Sequence, residues 1–190
     1  KSVGNGPVPD AKTSDIVHLM VGRQIDDFFP RSDRPQGDPL LDVSQLTGNP
    51  LPQNASLTLH RGEVFGIAGL VGAGRTEFLR TLFGLNPICN GTITFAHHSG
   101  HALPPHRLAQ GMGYISEDRK EEGLAQSMSV SDNLTLSRLP RGLVLPKKLR
   151  AISQQWISRL NIRTSGPDQT ITDLSGGNQQ KVALARLLHH

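Results

Sequence analysis

A glycine-rich loop between two regular segments, GLVGAGRTE at residues 69–77, narrows the possible folds more than any other stretch of the chain. The residues before it, EVFGIAGL (63–70), are apolar nearly throughout, which is typical of a strand buried on both faces. The residues after it, TEFLRTLF (76–83), place their apolar side chains on one helical face. Strand, glycine loop and helix in this order predict a phosphate-binding loop and an α/β fold with a P-loop core.

The loop contains the residue types that a bound phosphate needs. Its glycines let the backbone curl so that several N–H groups point at one anion, and the start of the helix adds a positive partial charge. Thr76 is placed to give its hydroxyl to a Mg²⁺ ion that bridges the phosphates. The predicted nucleotide-binding residues are Gly69, Gly72, Ala73, Gly74, Arg75, Thr76 and Glu77.

Arg75 departs from the usual pattern of such loops, G-x-x-x-x-G-K-[ST], because it stands in place of the lysine. Arginine keeps the positive charge, but its planar fork is wider and demands a different geometry. Nucleotide binding can survive this change, whereas stabilisation of a transition state depends on much finer placement. Taken alone, the loop also leaves open a glycine-rich turn with no ligand.

A second candidate anion site lies at residues 174–181, LSGGNQQK. Ser175 is a favourable N-cap residue, and the two glycines after it leave the following N–H groups uncovered. A helix start with bare N–H groups and a hydroxyl favours an anion. We expect the last helix to begin near Ser175 and to run through residues 181–188.

LSGGNQQK resembles the signature sequence L-S-G-G-Q of the ATP-binding cassette (ABC) ATPases, and it follows the glycine loop by about a hundred residues. Together with GLVGAGRTE and YISEDRKEEGL (114–124), it resembles one subgroup, the carbohydrate-uptake importers of the ribose, galactose and xylose type. In that subgroup two cassettes are fused in one chain, and this sequence is similar to the second. The resemblance covers nearly everything from Asp15 to His190, and HLMVGRQIDDFFPR (18–31) looks like the segment that joins the cassettes.

The resemblance implies ATP and Mg²⁺ as cofactors and a role in energising sugar uptake. The implied partners are the other cassette of the same parent chain, membrane permease subunits and, indirectly, a sugar-binding protein. The implied location is peripheral, on the cytoplasmic face of the inner or plasma membrane. The resemblance also implies that the signature residues hold the γ-phosphate of ATP seated in the partner cassette; they are Leu174, Ser175, Gly176, Gly177, Asn178 and Gln179.

Several departures from the family limit what the chain is expected to do alone. Glu117 occupies the position where such cassettes usually carry a glutamine that touches Mg²⁺ and the attacking water. No aromatic residue lies between Leu40 and His60 to stack on adenine. The apolar strand ending in Asp-Glu, which holds Mg²⁺, and the switch histidine are both expected beyond His190. We therefore assign no catalytic residue and expect the isolated chain to be inactive, with a weak or non-hydrolytic phosphate loop and a signature donated to the partner.

The chain is expected to divide near residue 40. Residues 1–39, rich in Gly and Pro, are interpreted as a flexible tail, a short helix (15–25) and a linker from a preceding cassette. Residues 40–190 are interpreted as a partial ABC domain, incomplete at its C-terminus. The resemblance implies a small antiparallel sheet beside the P-loop core and a helical insert at about 125–165.

Hydrophobic periodicity places the remaining elements of this domain. Alternating apolar and polar residues are typical of half-exposed strands, whereas apolar residues at helical spacing indicate an amphipathic helix. These patterns predict strands at 40–46, 54–59, 91–96 and 111–116, and a helix at 146–161.

Composition excludes several function classes. The net charge of +4 comes from scattered basic residues, which argues against a nucleic-acid partner. A single cysteine allows no internal disulfide and fits a reducing compartment. No apolar run approaches the roughly 20 residues that span a bilayer. Four histidines at 97, 98, 101 and 106 match no zinc spacing and are interpreted as part of a solvated turn.

Three alternative functions stay open at this point. The chain could be a nucleotide kinase or another P-loop enzyme with an incidental LSGG, although the continuation NQQK argues against it. It could be a non-transport ABC protein that acts on DNA or ribosomes, against which the absence of a basic tract counts weakly. It could also be a structural cassette that has lost nucleotide binding.

Overall fold

The computed structural model describes residues 6–7, 12, 16, 19–20, 34–139 and 143–189. The chain divides into two units, Lys1–Pro35 and Gln36–His190. In the first unit, the helix predicted at residues 15–25 lies mostly outside the described residues, although Ile16, Leu19 and Met20 are helical. Most of the predicted tail also lies outside them, and the predicted linker is described only from residue 34 onward. All elements below belong to the second unit.

A small antiparallel sheet opens this unit. Its strands β1 (Pro39–Thr47), β2 (Ala55–His60), β3 (Asn90–Phe95) and β4 (His98–Ser99) pair in the order β2-β1-β3-β4. The alternation that predicted the first three strands is visible in their burial, since Leu41 and Val43 of β1 point into the core while Asp42 and Ser44 are exposed. The prediction of strands at 40–46, 54–59 and 91–96 is therefore confirmed.

Helix α1 (Arg75–Phe83) packs on one face of this sheet. Its apolar residues recur at the helical spacing, so that Phe78 and Leu82 meet the buried side of β1 and β3. The helix ends at Gly84, whose φ of 87° is the left-handed conformation that terminates many helices. We call this apolar cluster the sheet core; its buried residues are Leu41, Val43, Leu46, Phe78, Leu82, Ile93 and Phe95.

The rest of the unit is helical. Helices α2 (Pro104–Ala109), α3 (Val130–Thr135), α4 (Pro146–Arg159) and α5 (Gly176–His189) are joined by a π-helical turn at Arg119–Gly123 and by short 3-10 turns at Leu136–Arg138 and Ile171–Asp173. A capping box formed by Ser129 and Asp132 begins α3. Helices α3, α4 and α5 share a second apolar cluster, the helical core, made of Leu124, Val130, Leu134, Ile157, Ile162, Ile171, Leu174, Val182, Ala183 and Ala185.

Two predicted strands are wrong. Residues 63–70 and 111–116 are irregular, and the side chains of Val64, Leu70 and Val71 are 95%, 87% and 99% exposed instead of buried. A strand buried in a parallel sheet depends on neighbours that accept and donate its backbone hydrogen bonds. Within residues 34–139 and 143–189, the backbone of residues 64–69 makes no such bond. The apolar pattern therefore showed the capacity for a buried strand, while the pairing depends on partners that the pattern cannot reveal.

None of the helices in the described part of the chain is long and apolar enough to cross a membrane.

Candidate functional site

Two glycines of the loop before α1 adopt a backbone conformation that other residues rarely adopt. Gly72 and Gly74 have φ angles of 82° and 84°, in the left-handed region that favours glycine. At Gly74 the space is also closed, because an added Cβ would lie 2.9 Å from Cδ1 of Leu51. Any side chain at position 74 would therefore be strained and would collide with the β1–β2 connection.

The loop presents unpaired donors at the start of α1. Its turn is closed by the N–H of Ala73, which donates to the carbonyl of Leu70 at 3.0 Å, and the first helical bond runs from Phe78 to Gly74 at 2.9 Å. The N–H groups of Gly72, Gly74, Arg75 and Thr76 donate to no acceptor in the described part of the chain, and no side chain caps α1. Several bare N–H groups at the positive end of a helix form an anion site.

The side chains of Arg75 and Thr76 are available to a ligand. Both residues are half-buried, and neither side chain makes a hydrogen bond or ion pair with the described residues. Arg75 curls back over the loop, since its Cδ would lie 3.7 Å from a Cβ built on Gly69. A free guanidinium and a free hydroxyl beside bare N–H groups suit a polyphosphate.

The donor set fits a magnesium ion only through a nucleotide. No group of three His, Cys, Asp or Glu side chains within the described ranges could hold a metal by itself. Thr76 supplies one free hydroxyl oxygen, and Mg²⁺ at phosphate sites takes few protein ligands because the phosphates and water provide the others. Of the four histidines near residue 100, His98 lies in β4 and His106 lies in α2.

A cavity of about 560 Å³ adjoins the loop. Its walls include Leu51 and Pro52 from the β1–β2 connection and Phe65 from the exposed segment, and Gly74 and Arg75 form its phosphate-loop side. Sequence reasoning missed these apolar residues, because it looked for an aromatic ring only between residues 40 and 60. Phe65 is 45% exposed and offers an aromatic surface that β1 and β2 lack.

The signature turn, residues 174–179, begins α5. Ser175 is exposed at the N-cap position, and its carbonyl accepts from the N–H of Gln179 at 3.0 Å. Its hydroxyl oxygen accepts from the amide of Asn178 at 2.9 Å, so that this hydroxyl keeps its own proton free to donate. The N–H groups of Gly176 and Gly177 have no acceptor among the described residues. The turn therefore also presents bare donors at a helix start.

Interior contacts fix the signature turn. Leu174 is buried in the helical core, and the buried amide of Gln179 donates to the carbonyls of Ile171 and Leu174 at 3.1 and 3.2 Å. The side chain of Asn178 accepts from the N–H of Arg163 at 3.0 Å. The side chains of Leu174, Asn178 and Gln179, which flank the two glycines, are thereby held in place.

Residues 116–123, which we call the bridge segment, connect the two cores. Glu122 bonds to Arg80 of α1 at 2.7 Å and to the hydroxyl of Ser116 at 2.7 Å. These hydrogen bonds, Ser116 first and then Arg80, lower the pKa of the Glu122 carboxyl below its ordinary value. On the side of α5, Arg186 donates to the carbonyl of Gly123, and burial lowers the pKa of its guanidinium. Glu117 itself is exposed, with no side-chain hydrogen bond within residues 34–139 and 143–189.

The two predicted anion sites pack against different apolar cores. Residues 69–77 adjoin the sheet core and residues 174–179 adjoin the helical core. No hydrogen bond or ion pair within the described part of the chain joins the two stretches directly. The bridge segment connects them, through the hydrogen bonds of Glu122 to α1 and of Gly123 to α5.

Comparison with known proteins gives one family and one fold. The sequence profile of the ABC transporter family matches residues 52–190. The chain is 45% identical over 184 residues to the putative ribose/galactose/methyl galactoside import ATP-binding protein 1 of Agrobacterium fabrum, covering 92% of this chain and 36% of that protein. It is 39% identical over 194 residues to the ribose import ATP-binding protein RbsA 3 of Rubrobacter xylanophilus, covering 99% of this chain and 39% of that protein. The chain thus spans little more than a third of the length of these relatives.

Solved structures agree on the fold. A dimeric ATP-binding cassette in a post-hydrolysis state, bound to ADP and Pi, superposes with a TM-score of 0.62 at 19% identity, over 78% of this chain and 69% of that one. A nucleotide-free ATP-binding cassette from an ABC transporter superposes with a TM-score of 0.63 at 17% identity, over 80% of this chain and 65% of that one. At these identities the likeness concerns the architecture, and the predicted α/β cassette fold with its small antiparallel sheet and helical part is confirmed.

Proposed function

Because the chain belongs to the ABC transporter family, we propose that it is a nucleotide-binding cassette of a carbohydrate importer, which couples ATP binding and hydrolysis to sugar uptake. The observation that carries this proposal is the set of bare N–H groups at Gly72, Gly74, Arg75 and Thr76. The relatives support the transported class, since their names describe import of ribose, galactose and methyl galactoside. The apolar cavity beside the loop is of the right kind to receive the nucleoside.

The proposed nucleotide site is the loop as the sequence predicted it. The backbone at Gly69, Gly72, Ala73 and Gly74 surrounds the phosphates, with Arg75 and Thr76 beside them. Mg²⁺, when bound with ATP, neutralises phosphate charge, and the Thr76 hydroxyl is the protein group that would reach it. Glu77 lies in the first turn of α1, where its carboxylate interacts favourably with the helix dipole.

We further propose that the two anion sites divide their labour. Arg75 in place of lysine makes this loop a weak or non-hydrolytic site, because the guanidinium demands a wider arrangement than an ammonium. The signature turn instead serves ATP bound in a partner cassette, to which it offers the Ser175 hydroxyl and the N–H groups of Gly176 and Gly177. The fixed position of this turn supports the second role, since donors held in place before the anion arrives bind it at a lower entropic cost.

The proposed partners follow from the same reasoning. They are a second cassette in the same parent chain, permease subunits at the cytoplasmic face of the membrane and, indirectly, a sugar-binding protein. Glu117 is proposed as the residue in the glutamine position, and its exposure leaves it accessible to a nucleotide-bound Mg²⁺ or a permease. Residues 1–39 are proposed as the connection to the preceding cassette, and residues 40–190 as the partial domain.

The ATPase rate of the reconstituted parent importer tests the division of labour. Ser175→Ala removes a donor from the partner's γ-phosphate and is expected to lower the ATPase rate by about a hundredfold. Arg75→Ala, which alters only the weak site, is expected to change it by about threefold at most. Thr172→Ala is the control, because Thr172 is an exposed neighbour of the turn. Equal losses in the Ser175 and Arg75 variants would contradict the proposal.

The isolated chain offers a simpler test. We expect no Mg²⁺-dependent release of phosphate above background, since the lysine is replaced and no described side-chain cluster holds the metal. A release rate similar to that of ordinary cassettes would show that the Arg75 loop is hydrolytic by itself.

A further inference from the structure

One long-range contact ends at the first residue of the signature helix. The guanidinium of Arg119, in the bridge segment, donates from Nη1 to the carbonyl of Gly176 at 2.8 Å, across 57 positions of sequence. Arg119 has no carboxylate partner within residues 34–139 and 143–189. The contact therefore places a positive charge beside the positive end of α5, and both favour an anion at the turn.

The backbone that carries Arg119 is fixed on both sides. Asp118 accepts from the N–H groups of Lys120 and Glu121 at 2.9 and 3.0 Å, which caps the π-helical turn. The carbonyl of Arg119 accepts from the amide of Gln126 at 3.3 Å. Together with the bonds of Glu122 to α1 and of Gly123 to α5, these contacts make the bridge segment a rigid base for the side chain.

The guanidinium also explains the first glycine of the turn. A Cβ built on Gly176 would lie 3.1 Å from both Nη1 and Nη2 of Arg119, whereas a Cβ on Gly177 would meet nothing within 4 Å. A side chain at position 176 would therefore push the guanidinium away from its carbonyl. The glycine at position 176 lets the Arg119 guanidinium lie against the backbone, and the glycine at position 177 leaves the turn open to solvent.

From these contacts we propose that Arg119 is a positioning residue for the signature turn. By holding the Gly176 carbonyl, it orients the peptide planes of the first turn so that the N–H groups of Gly176 and Gly177 face outward together. It also adds a positive charge behind the anion. The inference rests on the proposed phosphate role of the turn, and it adds a physical connection from α1, through Arg80 and Glu122, to the phosphate-facing end of α5.

The experiment uses the ¹⁵N-labelled 190-residue chain and inorganic triphosphate as the probe. Backbone order at Gly176 and Gly177 is measured by the heteronuclear ¹H–¹⁵N NOE, and affinity is measured from the shifts of their amide signals. Arg119→Ala is compared with Arg119→Lys, which keeps one donor and the charge, and with Lys120→Ala, which removes the same charge from an exposed neighbour. The melting temperature of each variant is recorded so that global unfolding is recognised.

We expect Arg119→Ala to lower the NOE at both glycines and to weaken triphosphate binding by about tenfold, as loss of a charge-assisted hydrogen bond would. Arg119→Lys should restore most of the order, and Lys120→Ala should leave the order unchanged. If Arg119→Ala does not fold, Gly176→Ala is used in its place. It displaces the guanidinium by a few tenths of an ångström, and it should lower the NOE and the affinity in the same direction but by less.

The outcomes separate this inference from the proposed function. Suppose that triphosphate shifts the glycine amides of the unsubstituted chain, and that Arg119→Ala has the same NOE and the same affinity. This result would overturn the role of Arg119 and leave the phosphate role intact. If Arg119→Ala and Lys120→Ala lower the NOE and the affinity equally, the effect comes from net charge and not from the contact with Gly176. That result would also overturn the role of Arg119. If triphosphate does not shift the glycine amides of the unsubstituted 190-residue chain, the result counts against the phosphate role. The NOE alone then decides whether Arg119 positions the turn.

Discussion

The phosphate loop and the signature turn are both bare helix starts, yet they are held very differently. The loop follows an exposed, unpaired segment, and its support comes from α1 packed on the sheet and from Leu51 beneath Gly74. The signature turn begins at the buried residue Leu174 and is held by the side chains of Gln179 and Arg119. The loop thus rests on its helix and on one neighbouring side chain, while the signature turn is fixed from several directions.

This difference bears on how each site binds an anion. Donors that are already in place lose little conformational freedom on binding, whereas a loop that must become ordered subtracts that entropy from its affinity. The signature turn is of the first kind. The phosphate loop is preceded by residues 64–69, which make no backbone hydrogen bond within the described part of the chain. Local opening should accordingly be much easier before α1 than before α5.

The largest expected effect separates the two regions by stability. Leu134→Ala empties a fully buried position of the helical core and should lower the free energy of unfolding by about 2–5 kcal/mol. Leu70→Ala removes the same atoms from a side chain that is 87% exposed and should change it by less than about 0.5 kcal/mol. Urea denaturation measures both. A large loss in Leu70→Ala would mean that the segment before the loop is packed, and the contrast would disappear.

A smaller effect tests what holds the signature turn. Gln179→Ala removes the buried amide that donates to the carbonyls of Ile171 and Leu174, and it should lower the free energy of unfolding by about 1–3 kcal/mol. Gln180→Ala, at the next position, is the matched control because Gln180 is exposed. The same denaturation series distinguishes them. Similar values for the two glutamines would show that the interior contacts of the turn contribute nothing.

The smallest effect concerns the bridge segment and depends on pH. Since hydrogen bonds from Ser116 and Arg80 lower the pKa of Glu122 in the folded protein, the carboxylate stabilises the fold above the ordinary glutamate pKa, and this contribution is lost as pH falls through the lowered value. Glu122→Gln should therefore melt a few degrees below the parent chain at pH 7, with the gap closing below about pH 4. Glu121→Gln is the exposed neighbour for comparison. A gap that is constant from pH 7 to pH 3 would show that the carboxylate charge plays no part.

The sequence predicted those elements whose signal is local. Alternation in β1 and helical spacing in α4 and α5 depend on residues a few positions apart, and the structure places these elements within a residue or two of the prediction. The segment at 63–70 was predicted wrongly because a strand also needs neighbours, which its own pattern cannot supply. The contact of Arg119 with Gly176 could not be predicted either, since it joins residues 57 positions apart through a hydrogen bond that no periodicity reports.

The most direct test of the account is a titration of a fluorescent ATP analogue into the chain, with and without Mg²⁺. Gly74→Asp introduces a strained side chain against Leu51 and a negative charge into the anion site, whereas Gly111→Asp places the same residue at another left-handed glycine with nothing within 4 Å. We predict saturable binding in the parent chain and in Gly111→Asp, and its loss in Gly74→Asp. No saturable binding at millimolar nucleotide, or equal binding by the two variants, would contradict the claim that the arginine loop holds the phosphates of a nucleotide.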